Sequence, residues 1–525
     1  MPVDAAYEVC IDLTRDRDFS DTNEDVSAYV KALEWTVGAT DPFAPIARAN
    51  TLSLTLRNGD GRFSPERAAG LSGFEPGALA RVRVTDPATA TAYPMCIGWI
   101  EPDGIEVIPG TRGLRETDVH ASGFFVRLMD EKARISLQEN QRADQIVDAL
   151  LTRNAVYPPG FTGWFLGEQA LGENTYLGAG VSDYASLETG VNTFTMVGDN
   201  WGERASIYRA LSDIAETERG FIYENREGKL VFYNRHHWYA DLANALDATL
   251  AQSDMLARRG LDYAYGNVVN DVEVAFRPRR VGSANEVLGL ANGTPRVEAA
   301  DSLEVRIGFD DGSGNRIGGK SVLTPVANTD WTANAAEDGT GTDLTSSVSA
   351  SMVADGSGVS LTFINSASVA AYLRNVQVRG LKITDFGEQM ARYRDDTSIA
   401  LYGRHPQTIT LRILDDFNYA ADLAVYEAYL HKDPAGEVRD ITFMANKSAA
   451  LMTYALTSGV GARIALAETQ TGLSGQYYVV GETHKVQIGR AHQVTQFLRP
   501  APPQAFWVLG VANFSELDAV TRLGV

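Results

Sequence analysis

The segment Thr51–Pro65, TLSLTLRNGDGRFSP, narrows the choice of fold more than any other stretch of this chain. From Leu52 to Leu56 apolar residues alternate with polar ones. A period of two puts one strand face in a core and the other in water. Asn58-Gly59-Asp60-Gly61 then supplies a turn, because glycine takes positive φ without steric cost and Asn or Asp tolerates it. Ser64 precedes Pro65 and is pushed toward an extended conformation. The segment predicts a strand, a turn and an extended exit in an antiparallel domain.

A chain of 525 residues exceeds what one core holds, and at ~100–200 residues per domain it divides into roughly three to five. Forty-eight glycines against 19 prolines point to many turns without long proline-rich linkers, and so to mainly β structure. Lys and Arg total 46 against 67 Asp and Glu, a net charge of −21. Such a surface repels a polyanion at long range and argues against a nucleic-acid grip. It is compatible with a pore that DNA passes without sticking, and solubility alone explains it as well. Cys10 and Cys96 are the only cysteines. Flanked by apolar residues and outside any CxxC, they are expected as buried, inert thiols. MPVDAAYEVC lacks a basic and an apolar signal region, and no run approaches the ~20 apolar residues of a membrane span. Synthesis in a cytoplasm is the expectation.

Along the chain, residues 1–137 read as a first β-rich domain, with strands at Tyr7–Leu13, Thr51–Leu56, Ala80–Thr85, Met95–Ile100, Gly104–Ile108 and Thr117–Leu128. Asp25–Leu33 fits a short helix or a strand pair. Helical spacing follows in Asn140–Arg153, stopped by Pro158-Pro159, and in Glu203–Arg219, with Gly220 where a C-cap belongs. Phe221–Tyr223 and Leu230–Tyr233 flank Asn225-Arg226-Glu227-Gly228 as a hairpin. Leu261–Phe276 opens a second β region. Residues 299–380 shift to Gly, Ser, Thr, Asn and Asp, with strands at Ser302–Phe309, Gly358–Asn365 and Leu373–Val378, and read as an inserted β-sandwich. Beyond it, Ser398–Gly403, Gln407–Arg412, Ala462–Glu468, Gln476–Val480 and Thr495–Leu498 read as strands, Asp416–Leu430 as a helix, and Ser515–Asp518 as a helix start in the tail.

The search for chemistry weighs each motif against a plain structural role. His236 and His237 are adjacent, so on a strand they point to opposite faces and chelate poorly. Asp310-Asp311-Gly312-Ser313-Gly314-Asn315 offers calcium-type oxygens, but an EF-hand loop counted from Asp311 needs Gly and Glu where Arg316 and Val322 stand. A hairpin turn is the expectation. Gly314–Ser321, GNRIGGKS, matches a P-loop formally. It lacks the flanking hydrophobic strand and the following helix, and Pro325 interrupts the place where helix should continue. Glu216 and Glu218 form one of many carboxylate pairs in an acidic chain, with no cleft to single them out. No HExxH or GxSxG is present. The reading assigns no catalytic, cofactor-binding or metal-binding residue.

The string TLSLTLRNGDGRFSP resembles the opening domain of minor tail proteins from long-tailed bacteriophages. GFIYENREGKLVFYNR at 220–235, SIALYGRHP at 398–406, and GARIALAETQTGLSGQYYVVG at 461–481 are similar, in the same order, to elements of the tail-tip or baseplate hub family. In the last of these, Ala462-Arg463 replaces the family's Gly-Asp. Leu361–Gly380 resembles a β-sandwich inserted into such hubs.

The resemblance implies a mainly β, multidomain chain with α+β parts. Its divisions would be a tube-like β-barrel at 1–137, an α+β module at 138–255, a second, split barrel at 256–298 and 381–499, the sandwich at 299–380 and a tail at 500–525. It implies a homotrimer whose six barrels continue a hexameric tail tube and let genomic DNA pass without specific binding. The channel-facing surface would carry an excess of Asp and Glu. Expected partners are tail-tube subunits, a distal tail protein, a tape-measure protein and a fibre or spike, in a virion tail tip. Two rivals stay open: a cell-wall hydrolase, and a receptor-binding module whose 299–380 insert takes glycan through aromatics such as Trp331.

Overall fold

The computed structural model describes residues 3–16, 18–110, 115–153, 185–202, 204–240, 242, 244–258, 268–434, 438–467, 472, 474–489, 491–502, 505–506 and 521–522. Pro158, Pro159 and the helix start at Ser515–Asp518 lie outside them. The protein is mostly β and multidomain, dominated by a large curled sheet.

That sheet has twelve strands. Six come from the N-terminal region, in the order Ala6–Asp12, Leu79–Thr85, Ala92–Ile108, Glu116–Ser122, Thr51–Arg57 and Val30–Gly38. Val30–Gly38 then pairs antiparallel with Ser474–Gln487. This junction is the seam. Beyond it lie Ala491–Pro500, Asp440–Met444 and Met255–Arg258, while Arg463–Ala467 and Ala248–Ala251 extend from the other half of the long Ser474–Gln487 strand. Both sets of six enclose one continuous apolar core, in which Val9, Trp35, Leu54 and Val82 meet Phe443, Met452, Ile464 and Val494.

The segment Thr51–Pro65 behaves as its pattern predicts. Leu52, Leu54 and Leu56 are buried in Thr51–Arg57. Gly61 takes φ 77° in the turn. Buried Asn58 organises the loop: its Oδ1 accepts from the Phe63 amide at 3.0 Å and its Nδ2 donates to Ser64 and Thr117 hydroxyls. Phe63 is thereby driven into the core.

An α+β module sits against this sheet. Helices Ala143–Arg153 and Ile207–Glu218 and the hairpin Phe221–Glu224/Leu230–Tyr233 share a second core. The left-handed cap of the second helix falls on Arg219 (φ 57°) rather than on Gly220. Gly220 is needed for closeness instead, since a Cβ there would stand 2.4 Å from the Tyr233 carbonyl oxygen. The predicted strand Thr117–Leu128 ends at Ser122 and passes into helix Phe125–Asp130.

Three three-stranded sheets between Arg279 and Asp385 wrap a core around Leu288, Val359, Phe363 and Leu373, and form the sandwich. It is seated firmly on the module. Arg316 donates to the carbonyls of Asp199, Asn200 and Trp201, and Lys320 reaches Glu139 at 2.6 Å. A fourth unit places Asp271–Phe276 between Gln389–Arg394 and Pro406–Thr410, backed by helix Phe417–His431. The segments 256–298 and 381–499 are thus divided between this small unit, the sandwich edge and the large sheet. Ser398 belongs to a helix, Asp396–Tyr402, because the Asp395 carboxylate accepts from its amide and caps the turn.

Candidate functional site: the seam of the large sheet

Strand alternation sorts the seam into two faces. Inside lie Leu33, Trp35 and Val37 of one strand and Glu482, His484 and Val486 of the other. Outside lie Glu34 and Thr36, opposite Lys485 and Thr483.

The inner face buries a charge. Glu482 is inaccessible to solvent and receives Arg226 Nε at 2.5 Å and Nη2 at 2.7 Å. Arg226 projects from the hairpin turn of the module and also donates to the carbonyls of Ala455, Leu456 and Ser458. These carbonyls sit at the C-terminal end of helix Ala449–Thr457, where unpaired backbone oxygens favour a cation. Burial works to raise the Glu482 carboxyl, but the Arg226 charge, and after it the His484 contact, outweigh it and hold the group at about 2. The seam also carries a polar relay, hydrogen-bonded from Tyr7 to His484 and closed on Glu482 by a longer contact. Tyr7 hydroxyl lies 3.0 Å from His492 Nδ1, His492 Nε2 lies 2.8 Å from His484 Nδ1, and His484 Nε2 lies 3.3 Å from Glu482. An ionised carboxylate only accepts, so the assignment that serves each atom runs one way. His484 Nε2–H faces Glu482, His492 Nε2–H donates to His484, and Tyr7 donates to His492. Burial lowers both imidazoles from their ordinary value, which keeps them neutral. His484 stacks on Trp35, rings 4.7 Å apart and 13° from parallel.

Two residues before Arg226 stands Glu224, buried on the hairpin and turned toward the N-terminal half. It accepts from the amides of Phe124 and Asn50. With no cation beside it among the described residues, burial pushes it up to about 8. Asn50 Nδ2 donates to the Asn225 carbonyl at 2.9 Å.

The outer face is built from short hydroxyls. Thr51, Thr36, Thr483, Thr495 and Thr442 are successive cross-strand neighbours over five strands. Their Oγ1 atoms pair at 2.9 Å (Thr36–Thr483) and 3.0 Å (Thr442–Thr495). The row beside them runs His120, Ser53, Glu34, Lys485, Gln493, Met444. Its lysine is matched by Glu34 at 2.8 Å. Carboxylates lie toward the margins, at Glu106, Asp118 and Asp440. A polyanion lying on this face would meet hydroxyls, amides and paired charges, which release few counterions.

The motifs singled out in the sequence scatter. Cys10 and Cys96 are buried free thiols; burial pushes Cys10 up to about 12 and raises Cys96 as well. The backbones of Asp310 and Arg316 pair in an antiparallel β-bridge, and Asp311 accepts from the Ser313 and Asn315 amides, which makes the predicted hairpin turn. Gly318–Leu323 is a strand paired with Gln377–Asp385, so GNRIGGKS has no helix to hold phosphate. Glu218 accepts from the Val191 and Asn192 amides and staples a loop; burial raises it to about 7. His237 stacks on Tyr233 and contacts Glu188 at 2.6 Å through Nδ1. Trp331 is buried against Phe363 and offers no face to a sugar, which removes the aromatic named for glycan binding. A cavity of about 400 Å³ opens among Asp199, Arg277, Arg279, Arg316, Asp385 and Arg412. Asp199 matches Arg279 at 2.6 Å, and Asp385 matches Arg277 at 3.1 Å. Sequence reading did not find the seam residues. The strand predicted at Gln476–Val480 stops short of GETHKVQ, and its partner Val30–Gly38 lies about 450 residues upstream.

No family model matches the chain, and no curated protein does. The solved structures it resembles include phage and prophage tail proteins. One is the tail protein from Neisseria meningitidis MC58 (9% identity, 95% of this chain and 97% of that one, TM-score 0.49). Others are the 43 kDa tail protein of prophage MuSo2 from Shewanella oneidensis (9%, 95% and 98%, 0.47) and prophage tail protein gp18 from Listeria monocytogenes EGD-e (8%, 95% and 95%, 0.41).

Proposed function

We propose that the chain is a structural hub of a phage tail tip, acting as a homotrimer that continues a hexameric tail tube and lets DNA through. The observation that carries this reading is the twelve-stranded sheet, to which one polypeptide contributes two sets of six strands side by side. Three copies then supply six sets around an axis, so a threefold ring matches a sixfold tube. Closed cyclic symmetry achieves this without open-ended growth. The tube-like units on this reading are residues 1–137 and the six strands gathered from 248–258 and 440–500. The threonine-rich outer face suits a wall beside passing DNA, because it offers no row of unmatched cations. The sequence resemblance adds tail-tube, distal-tail, tape-measure and fibre or spike proteins as neighbours, and a virion location after synthesis in the host cytoplasm. We assign no catalytic step. Native mass spectrometry of the purified chain, with cryo-EM class averages, tests the reading: it requires trimers with an axial opening. Monomers alone, or an even-numbered ring, overturn it.

A further inference from the structure

The inner face of the seam holds a competition for one carboxylate. Glu482 lies between Arg226, which enters from the module hairpin, and His484, which is its neighbour along the same strand face. Only one of these two is a cation while the relay runs from Tyr7 through His492 to His484. We propose that this group of residues is an acid-responsive latch: protonated His484 takes Glu482 as its counterion, and Arg226 with the hairpin tip is released from the seam.

Each group facing the imidazoles bears on that exchange. His484 meets Glu482 on its own strand, His492 across the sheet, the Trp35 ring above it and Arg226 beyond Glu482. His492 meets His484, the Tyr7 hydroxyl and, at longer range, Arg226 and Glu482. With Arg226 docked, a proton on either imidazole adds a second cation to a buried site that holds one anion. With Arg226 withdrawn, a proton on His484 Nδ1 turns the ring whose Nε2–H already faces Glu482 into that carboxylate's counterion, and the His492 Nε2–H gives up its place at Nδ1. Docking and protonation therefore exclude one another. Burial, which disfavours both imidazolium ions in the docked state, works in the same direction. Below the ordinary histidine value, the opening equilibrium shifts toward release by about tenfold per pH unit for each histidine that gains a proton only on opening. Arg226 makes five hydrogen bonds to side chain and backbone in this socket, so its withdrawal unties the hairpin tip from the second half of the sheet and leaves the carbonyls of Ala455, Leu456 and Ser458 without this donor.

Hydrogen exchange on the full-length chain from pH 8 to pH 5, corrected for intrinsic exchange rates, tests the latch. The expected result is a loss of protection of at least tenfold in Phe221–Glu224 and Leu230–Tyr233 between pH 7 and pH 5, with Asp271–Phe276 unchanged. Trp35 emission, isolated by subtracting a Trp35→Phe variant, should be quenched over the same interval as the imidazolium forms against the indole. The double variant His484→Gln, His492→Gln should keep the hairpin protected throughout. Arg226→Met should show low, pH-independent protection, and it serves if the double variant fails to fold. Hairpin protection that is constant with pH, or that falls equally in the double variant or in Arg226→Met, overturns the proposal.

Discussion

The two halves of the large sheet are built by opposite routes. The N-terminal six strands lie between Ala6 and Ser122, joined by turns such as the one centred on Asn58. The other six are gathered from 248–258 and 440–500, with the sandwich and the fourth unit spliced between. The first half closes its loop entropy cheaply, while the second must bring together strands nearly 200 residues apart. The module hairpin compensates at this point. Glu224 and Arg226, two residues apart, fasten it to the first and second halves respectively. The first fastening is a buried acid held by backbone amides; the second is a buried ion pair. A contiguous half is stabilised mainly by apolar packing, and a spliced half carries a specific polar tie.

The largest test of that contrast is Arg226→Ala. It leaves Glu482 buried with only His484 beside it and should cost about 3–5 kcal/mol, read as a lower denaturant midpoint and as loss of protection in Ala449–Thr457. Leu54→Ala in the contiguous half should cost about 2–5 kcal/mol while leaving that helix protected. Equal damage to the helix in both variants would erase the distinction.

The two fastenings should also respond to pH with opposite sign. Glu224 holds its proton up to about 8 in the folded chain, so its stabilisation falls as pH rises from the ordinary carboxylate range toward that value. His484 and His492 are lowered by burial, so their contribution is present above the ordinary histidine value. It is lost as pH falls, by at most ~1.4 kcal/mol per pH unit for each. Glu482, held at about 2, adds its loss only below the ordinary carboxylate range. A stability–pH curve should be dome-shaped, with the acid limb flattened in the His484→Gln, His492→Gln chain and the alkaline limb flattened in Glu224→Gln. The smallest effect belongs to the outer face: Thr483→Val removes one hydroxyl pair from a half-exposed row and should cost under ~1 kcal/mol by denaturation.

What was legible in the sequence follows the same divide. The Thr51–Pro65 string declared its strand, its turn and its extended exit, because alternation and turn chemistry are local; the burial of Phe63 was not read from it. The hairpin around Asn225–Gly228 was equally plain. Helix Ala449–Thr457 was missed: AALMTYALT is apolar on nearly all sides, and a buried helix shows no polar stripe. The strand predicted at Ser398–Gly403 was overruled by the cap from Asp395, a single side-chain hydrogen bond that periodicity does not register. The seam rests on a pairing between Trp35 and His484 that no window of sequence contains. Trp331 read as exposed only while its strand partners were unknown.

The central claim is that two strand sets in one chain make a threefold ring serve a sixfold conduit, and a cryo-EM reconstruction of the purified assembly tests it most directly. The account predicts three copies around an open axis, with Thr36, Thr483 and Thr495 facing the opening and six strand sets in succession. A ring with another number of copies, or a closed ring that turns the threonine row away from the axis, would contradict it.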